Sequence, residues 1–390
     1  MRGLNKFTVL DFSKLLPGPF CTMLLADLGC RVIRVELPHW PDMLRGVAPH
    51  IEGHGFAYWM ANRNKESLCL DFRRPAGLQV LMQLLAKSDA LVEGYRPGMM
   101  EKLGLGPKTL RRKFPRLVYC SLTGYGRRGP LSRRAGHDIN FLAESGFMGA
   151  GDSNKTCSFP QTQIADLCAS QAASTAILAA LLDRVTSGRG QHIDISMTEA
   201  IFSWLVLPLG HSAALRRPYD IRGPQWWSGN AAFYRLYDTQ DGRAVCVAAV
   251  ERPFAEALLR ELGRPDLIAR LPKLDGSGGA ALTRTLARIF RSRTLRQWEA
   301  RLRGKDVCVT PVRTVEEARR LFMRPPAPGA APLVRGKAVR SPIRLAREDC
   351  RMRRRPPRLG ADNEAVLKSF RIPRRTIKQL ETSGLLVKKR

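Results

Sequence analysis

Strand-like and helix-like segments alternate along the first part of the chain. The apolar run FTVLDFS (7–13) is typical of a buried β-strand, and PGPFCTMLLADLG after it has a proline suited to a first helical turn and a glycine suited to a helix end. A second run rich in β-branched residues, RVIRVEL (31–37), completes a strand–helix–strand unit. Such a unit joins parallel strands, because the helix returns the chain to the starting end of the sheet.

This alternation continues through the first 200 residues. Strands are predicted at residues 67–72, 90–95, 116–126 and 192–197, and helices at 75–88 and 165–185. The pattern predicts an α/β fold: a doubly wound, Rossmann-like large domain over residues 1–225, with helices on both faces of a parallel sheet. No G-x-G-x-x-G follows the first strand. The turn SKLLPGP stands there instead, and it is either an anion site at a helix N-terminus or a plain connection.

The pattern changes from about residue 226. A hairpin is predicted around TQDGR, followed by amphipathic helices and a strand in VCVTPV, which indicates a smaller α+β domain over residues 226–325. Residues 326–390 begin as an extended Pro/Arg-rich connection and end in two short predicted helices. We expect this C-terminal part to return to the large domain.

Composition fits a globular protein and gives no membrane signal. The chain has 390 residues, of which 44% are hydrophobic and 25% charged, and it contains no apolar run of about 18 residues. The N-terminal residues lack the pattern of a secretory signal, and the last residues match no peroxisomal tripeptide. Nine cysteines occur singly, without a C-x-x-C pair, as expected of reduced thiols. We therefore expect a cytoplasmic protein.

The charge balance is strongly basic. Lysine and arginine number 65 against 34 acidic residues, which gives a net charge of +31. Such an excess motivates a nucleic-acid-binding hypothesis. The basic residues are spread along the chain, with no aromatic-interleaved stripe and no zinc-finger spacing, so we expect no specific nucleic-acid partner. The excess would attract anionic small molecules.

Two of the six histidines have metal-like spacing. His50 and His54 are four residues apart, but Pro49 and the intervening IEG make a helix there doubtful, and no carboxylate motif accompanies the pair. We therefore expect no metal site.

His137 and Asp166 are the residues best placed for chemistry. His137 follows the turn-rich loop GYGRRGP that comes after a predicted strand, which is where functional groups gather in open α/β sheets. Asp166 opens the long helix, where the helix dipole favours a carboxylate. Each has an ordinary alternative: His137 as a surface or helix-capping residue, and Asp166 as a complement to the helix end. The residues alone leave both alternatives open.

Longer segments resemble one known family almost end to end. They include LPGPFCTMLLADLGCRVIRVELP, NRNKESLCLDFR, VEGYRPGMMEKLGLGP, RLVYCSLTGYGRRGPLSRRAGHDINFLAESG, TSGRGQHIDISM, DGRAVCVAAVE, VCVTPV and SPIRL. In this order they resemble the family III CoA-transferases (CaiB/BaiF), which also include the α-methylacyl-CoA racemases. The segment GHDIN resembles the racemase branch.

The resemblance implies roles for individual residues. In racemases of this type a histidine and an aspartate act as bases on opposite faces of the substrate α-carbon, which implies these roles for His137 and Asp166. Glu251 matches the glutamate that partners the histidine, Tyr234 matches a tyrosine near the aspartate, and Asp138 lies beside His137. In the transferases the aspartate at the position of Asp166 is instead the nucleophile that forms an acyl anhydride.

Two bases suit the chemistry of epimerisation. The α-proton of a thioester is weakly acidic, so its removal needs a positioned base and stabilisation of the enolate. Proton removal on one face and return on the other needs two groups in opposite protonation states. Asp166 would then require a pKa raised by desolvation, against the pull of the helix dipole.

The resemblance also implies CoA binding, with CoA as part of the substrate and no prosthetic group. The implied binding residues are Lys65, Arg96, Arg34 and Gly136. Leu37 stands where the family commonly has an arginine that meets CoA, and Arg34 or Lys14 would have to compensate. Family members form interlaced homodimers, which we expect here.

The sequence therefore predicts an enzyme that epimerises the α-carbon of a 2-methylacyl-CoA, with a family III CoA-transferase as the alternative. A non-enzymatic nucleic-acid-binding role rests on the charge alone. No local motif identifies the acyl chain.

Overall fold

The chain divides into two units in a computed structural model that describes residues 3–150, 160–220, 225–227, 229–271, 279–325, 334–345 and 350–388. The first unit comprises the described residues of Met1–Met148, Phe159–Val206 and Ala327–Arg390, and the second those of Gly149–Ser158 and Leu207–Pro326. Our predicted boundary at residues 225/226 differs from this division, because the helix Val206–Leu215 belongs almost entirely to the second unit.

The first unit is built on a six-stranded parallel sheet. Its strands are β1 (Thr8–Asp11), β2 (Arg31–Glu36), β3 (Lys65–Cys69), β4 (Ala90–Glu93), β5 (Val118–Thr123) and β6 (His192–Ser196). They lie in the order β3-β2-β1-β4-β5-β6, and every neighbouring pair is parallel. The strand order reverses between β1 and β4, as in doubly wound nucleotide-binding folds. The predicted α/β fold class is confirmed.

Helices cover both faces of this sheet. They are α1 (Pro17–Asp27), α2 (Phe56–Ala61), α3 (Pro75–Leu85), α4 (Met99–Lys102), α5 (Pro107–Lys113), α6 (Asp138–Glu144), α7 (Ile164–Ser187) and α8 (Met197–Phe202), with short 3-10 turns at Met43–Arg45 and Met148–Ala150. Successive residues of β1 show the alternation: Val9 packs with α1 and α7 on one face, and Leu10 packs in the core on the other. Among the described residues, α7 alone is long and apolar enough to cross a membrane, and half of its apolar window is buried in the protein.

The C-terminal residues return to the first unit, as expected. Helices α14 (Asn363–Ser369) and α15 (Arg374–Thr382) contribute Val366, Leu367 and Ile377 to the core that holds Leu10. Asp362 Oδ2 accepts from the Ser67 amide at 2.9 Å, and the Asn363 side chain accepts from the Cys69 amide at 2.8 Å. These bonds satisfy the outer edge of β3, which would otherwise expose unpaired backbone groups. Within the predicted connection 325–358, residues 326–333 and 346–349 lie outside the described residues.

The second unit has a three-stranded antiparallel sheet and a core of its own. Strand β8 (Ala244–Val247) lies between β7 (Arg235–Asp238) and β9 (Val309–Pro311). The helices are α9 (Val206–Leu215), α10 (Arg252–Glu261), α11 (Gly279–Phe290), α12 (Leu295–Leu302) and α13 (Val315–Phe322), with a 3-10 turn at Pro265–Arg270. Trp298 anchors the core, and its indole N–H donates to the Phe290 carbonyl at 2.8 Å.

Candidate active site

One cleft of the first unit lies where the strand order of the sheet reverses. Loops that follow β1, β4 and β5 and the start of α7 enclose a cavity of about 240 Å³. In doubly wound sheets, ligands bind at this carboxyl-end crevice. The lining includes Lys14, Gly18, Tyr95, Arg96, Gly136, His137, Asp138, Phe141 and Asp166.

Asp166 lies in the first turn of α7 and faces this cleft. Burial, with a further contribution from the neighbouring Asp138 carboxylate, raises the pKa of Asp166 to about 7. Desolvation disfavours the charged form, and a like charge nearby acts in the same direction. Asp166 is therefore populated in both protonation states near neutral pH.

Asp138 caps the N-terminus of α7 from a different helix. Its Oδ1 accepts a hydrogen bond from the Asp166 amide at 3.0 Å, whereas the N-cap residue Gln163 makes no side-chain cap. A carboxylate at this end satisfies amides that lack partners within the helix. Burial raises the pKa of Asp138 as well, and the hydrogen bonds from the α7 amides oppose that rise. Asp138 thus caps the N-terminus of α7, the helix that carries Asp166.

His137 is the N-cap residue of α6 and its side chain is exposed. Its amide donates to Asn140 Oδ1 at 3.0 Å, which fixes the start of the helix. His137 also lines the cleft.

The position of α6 depends on a close approach of Phe141 to two glycines. A Cβ on Gly124 would stand 2.3 Å from the Phe141 ring, and one on Gly136 would stand 2.8 Å from it. Tyr125 packs edge-on against the same ring, with the centroids 5.1 Å apart. These contacts hold His137 at the cleft, and Gly136 lines the cleft itself.

Basic residues give the rim of the cleft a positive potential. Arg96 is exposed, and its guanidinium makes no ion pair with the described residues. Lys14 Nζ lies 3.4 Å from the centroid of the Trp40 ring and donates to the Trp40 carbonyl at 2.5 Å. Burial lowers the pKa of Lys14 to about 8. Both cations are placed to meet an anionic ligand.

Lys65 and Arg34 lie inside the protein, which does not support our expectation that they contact CoA. Both side chains are fully buried. Lys65 Nζ contacts Asp11 Oδ2 at 3.1 Å and donates to the Pro19 carbonyl at 2.8 Å. Arg34 pairs with Asp11 at 3.2 Å and also with Asp42. Charges without water contact require such partners, and these partners occupy the cationic groups.

The same buried charges fix the loop after β1. Asp11 Oδ1 accepts from the Ser13 amide at 3.0 Å, and Asp42 Oδ2 accepts from the Leu15 amide at 3.2 Å. Leu15 has a φ of 63°, a strained value for a residue other than glycine. Lys65 and Arg34, through these two carboxylates, support the loop that carries Lys14.

Leu37 belongs to the core rather than to the cleft. It is 3% exposed and packs in the same cluster as Leu10 and Ile33. Its side chain therefore offers no contact to a ligand.

Glu251 and Tyr234 belong to the second unit. Glu251 is the exposed N-cap residue of α10. Tyr234 is 37% exposed, and its ring lies edge-on to Trp226 with the centroids 6.0 Å apart. Of the predicted catalytic residues, His137, Asp138 and Asp166 line one cleft of the first unit.

The histidines with metal-like spacing form a hairpin. His50–Ile51 pairs antiparallel with His54–Gly55, and the His54 ring stacks on Tyr58 with the centroids 5.5 Å apart. Among the described residues, no group of three or more His, Cys, Asp or Glu side chains could hold a metal ion.

Glu93 was not among the residues that we singled out from the sequence. It is the last residue of β4 and is fully buried, and burial raises its pKa to about 7. Its signal was present as an acidic residue that ends an apolar strand before a glycine, in ALVEGY.

Comparison with known proteins identifies the family. The sequence model described as CoA-transferase family III matches residues 4–363. The chain belongs to CoA-transferase family III. The resemblance inferred from the sequence segments is therefore confirmed.

Relatives within CoA-transferase family III include racemases and transferases. Human α-methylacyl-CoA racemase is 37% identical over 318 residues, which cover 81% of this chain and 79% of that protein. Human succinyl-CoA:glutarate CoA-transferase is 34% identical over 272 residues, which cover 69% and 61%. A CAIB/BAIF family protein from Brucella suis has a similar structure, with a TM-score of 0.76 and 26% identity over 93% of this chain and 98% of that one.

Proposed function

We propose that the protein is an α-methylacyl-CoA racemase-type enzyme that epimerises the α-carbon of a 2-methylacyl-CoA thioester. The observation that carries the proposal is the pairing of His137 with Asp166 in one cleft, together with an Asp166 pKa of about 7. A base of that pKa exchanges protons efficiently near neutral pH. The 37% identity to the human racemase adds support.

In the proposed reaction the two residues exchange roles with direction. A neutral His137 imidazole removes the α-proton from one face, and protonated Asp166 delivers a proton to the opposite face. The reverse reaction begins with the Asp166 carboxylate and a protonated His137. The burial that raises the pKa of Asp166 keeps both of its states accessible.

The proposed roles of two residues of the second unit rest on the family resemblance alone. Glu251 is proposed to partner His137, and Tyr234 to lie near Asp166. Asp138 is proposed to act through Asp166, by capping α7 and by raising the pKa of the Asp166 carboxyl group.

CoA is proposed to bind as part of the substrate, without a prosthetic group. Arg96 and Lys14 supply positive charge at the rim, and Gly136 leaves the cleft wall free of a side chain. Lys65 and Arg34 are proposed to support the loop that carries Lys14 rather than to touch CoA.

The oligomeric state and the cellular location of the protein are also proposed. We infer an interlaced homodimer from the family resemblance, and large apolar side chains exposed in both units suit a protein contact. A cytoplasmic location is proposed from the isolated cysteines.

A CoA-transferase is the second candidate, because Asp166 faces the cleft and a transferase is 34% identical to the chain. In that reaction the Asp166 carboxylate would attack the thioester carbonyl, form an acyl anhydride and release CoA thiolate. The CoA thiolate would then attack the Asp166 carbonyl of this anhydride, which releases the donor acid and leaves an Asp166–CoA thioester. The acceptor carboxylate would attack that thioester to form a second anhydride and release CoA thiolate, and the thiolate would attack the acceptor carbonyl to give the new acyl-CoA and free Asp166.

Deuterium exchange separates the two candidates. A 2-methylacyl-CoA is incubated with the enzyme in D2O, without any acceptor acid, and deuterium at the α-carbon is measured by mass spectrometry. A racemase incorporates deuterium under these conditions, whereas a transferase should not.

The transfer reaction is assayed in parallel with an added carboxylic acid. His137→Ala should abolish racemisation, yet it should leave anhydride formation on Asp166 largely intact. Full CoA transfer with no deuterium exchange would rule out the racemase proposal.

A further inference from the structure

Two loops that line the cleft are joined by a single arginine. Residues 94–97 follow β4, and residues 124–137 follow β5, and both contribute to the lining. Arg127 lies at the start of the second loop, directly after Gly126, whose φ is 78°. Its side chain is 13% exposed and points toward β4 and α4.

Arg127 bridges two carboxylates of the β4–α4 segment. Its Nη1 lies 3.4 Å from Glu93 Oε1, and its Nη2 contacts Glu101 on α4. Its own amide donates to Asp194 Oδ2 of β6 at 3.3 Å. A guanidinium can hold two carboxylates at once because its donors point in fixed, separate directions.

Glu93 transmits this contact to the cleft wall. Its second oxygen, Oε2, accepts from the Tyr95 amide at 2.8 Å, and Tyr95 lines the cleft beside Arg96. Glu101 fits in place because Gly106 has no side chain: a Cβ there would stand 2.8 Å from Glu101 Cγ. The chain of contacts therefore runs from the second loop, through Arg127 and Glu93, to the backbone of the first.

We propose that Arg127 is a positioning residue that holds loops 94–97 and 124–137 at a fixed separation and so sets the width of the acyl-CoA cleft. Only its kinetic consequence rests on the proposed function. Arg127 touches neither the cleft nor the proposed bases, so its loss should affect substrate binding more than the proton transfers.

Amide hydrogen exchange tests the proposal without substrate. In Arg127→Met, the backbone amides of peptides covering residues 94–97 should exchange about tenfold faster. Loss of a charge-assisted hydrogen bond should raise the population of the opened loop by about that factor. Arg128→Met is the matched control, since Arg128 is exposed and forms no ion pair with the described residues. Arg127→Lys keeps the charge but reaches one carboxylate, and it should restore part of the protection.

The kinetic arm compares KM with kcat for a 2-methylacyl-CoA. Arg127→Met should raise KM about tenfold and change kcat less than about threefold. Arg128→Met should leave both unchanged. Equal exchange of the 94–97 peptides in wild type and Arg127→Met would overturn the proposal, whatever reaction the enzyme proves to catalyse. Faster amide exchange of the 94–97 peptides, in a protein that incorporates no deuterium at the substrate α-carbon, would refute the proposed function but would still support the role of Arg127.

Discussion

Asp166 lies where two physical effects on its charge oppose each other. The N-terminus of α7 favours a carboxylate by about 0.3–1 kcal/mol, which is less than one pKa unit. Burial and the Asp138 charge act in the opposite direction and raise the pKa from 3.8 to about 7. Burial prevails in part because the Asp166 amide, one of the donors at this helix end, is already bonded to Asp138 and does not stabilise the Asp166 carboxylate.

The raised pKa of Asp166 predicts a specific effect on stability. A carboxyl group whose pKa is higher in the folded state stabilises the fold at low pH, and that stability is lost as pH rises from about 4 through about 7. Asp166→Asn removes the free-energy cost of burying an ionised carboxylate at high pH. Its free energy of unfolding should exceed that of wild type by about 1–3 kcal/mol at pH 8 and by close to nothing at pH 3.5. Urea unfolding at both pH values measures the difference, and equal stability at pH 8 would contradict the raised pKa.

A second prediction concerns the charge of Asp138. Asn at this position can still accept the hydrogen bond from the Asp166 amide but carries no charge. In Asp138→Asn the pKa of Asp166 should fall, and the activity limb governed by Asp166 should move to lower pH by roughly one unit. The pH–rate profile of α-proton exchange checks this shift. Glu144→Gln, which removes an exposed charge from the same helix, is the control and should leave the profile in place.

At the scale of elements, α6 is a short helix whose position depends on packing. Its seven residues are too few for stability on their own, so its contacts with the core hold it. Phe141 enters the core opposite Gly124, where no side chain larger than hydrogen fits. The position of His137 therefore depends on a glycine thirteen residues earlier.

Gly124→Ala should displace α6. The added Cβ would lie 2.3 Å from the Phe141 ring, so the helix must move or the ring must rotate. We expect a loss of about 1–3 kcal/mol in the free energy of unfolding and at least a tenfold loss of α-proton exchange. Phe141→Leu in the same chain should recover part of the activity by restoring space. Gly3→Ala adds a Cβ in open space and should have no effect on either measurement.

The main elements could be predicted from local patterns, whereas the buried charges could not. Strand β1 and helix α7 could be predicted from apolar runs, from proline and glycine at the ends of elements, and from the periodic small residues of the helix. Lys65 has no local sign of burial, because its partner Asp11 lies 54 residues earlier and meets it only when β1, β2 and β3 are assembled. The exposed helix α9 was missed because its apolar residues do not mark one buried face. His137 and Asp166 were singled out by their positions in the sequence, but their catalytic roles were inferred only through the family segments.

At the scale of the whole molecule, exposed apolar side chains and a large positive charge stand out. Leu182 and Val185 on α7 are 73% and 65% exposed, and Val315 on α13 is 88% exposed. Large apolar residues exposed in groups are typical of protein contact surfaces. A net charge of +31 also makes self-repulsion strong, so any association has to bury enough apolar surface to offset it.

The interlaced homodimer is testable in solution. Sedimentation velocity at physiological salt should give the mass of two chains, and Leu182→Glu with Val185→Glu should shift the equilibrium toward one chain without loss of the far-UV circular dichroism. Asp183→Asn, between them on the same helix, should leave the mass unchanged. A single-chain mass for wild type at every concentration would refute the dimer.

The central claim is that His137 and Asp166 serve opposite faces of one α-carbon. The most direct test follows deuterium uptake from D2O separately for the two epimers of a 2-methylacyl-CoA, with wild type, His137→Ala and Asp166→Asn. Two bases predict that wild type exchanges and inverts both epimers. Each variant should invert neither epimer, and each should retain exchange, with retention of configuration, for the one epimer whose proton faces its remaining base. Loss of exchange from both epimers in one variant, with normal inversion in the other, would contradict the two-base account.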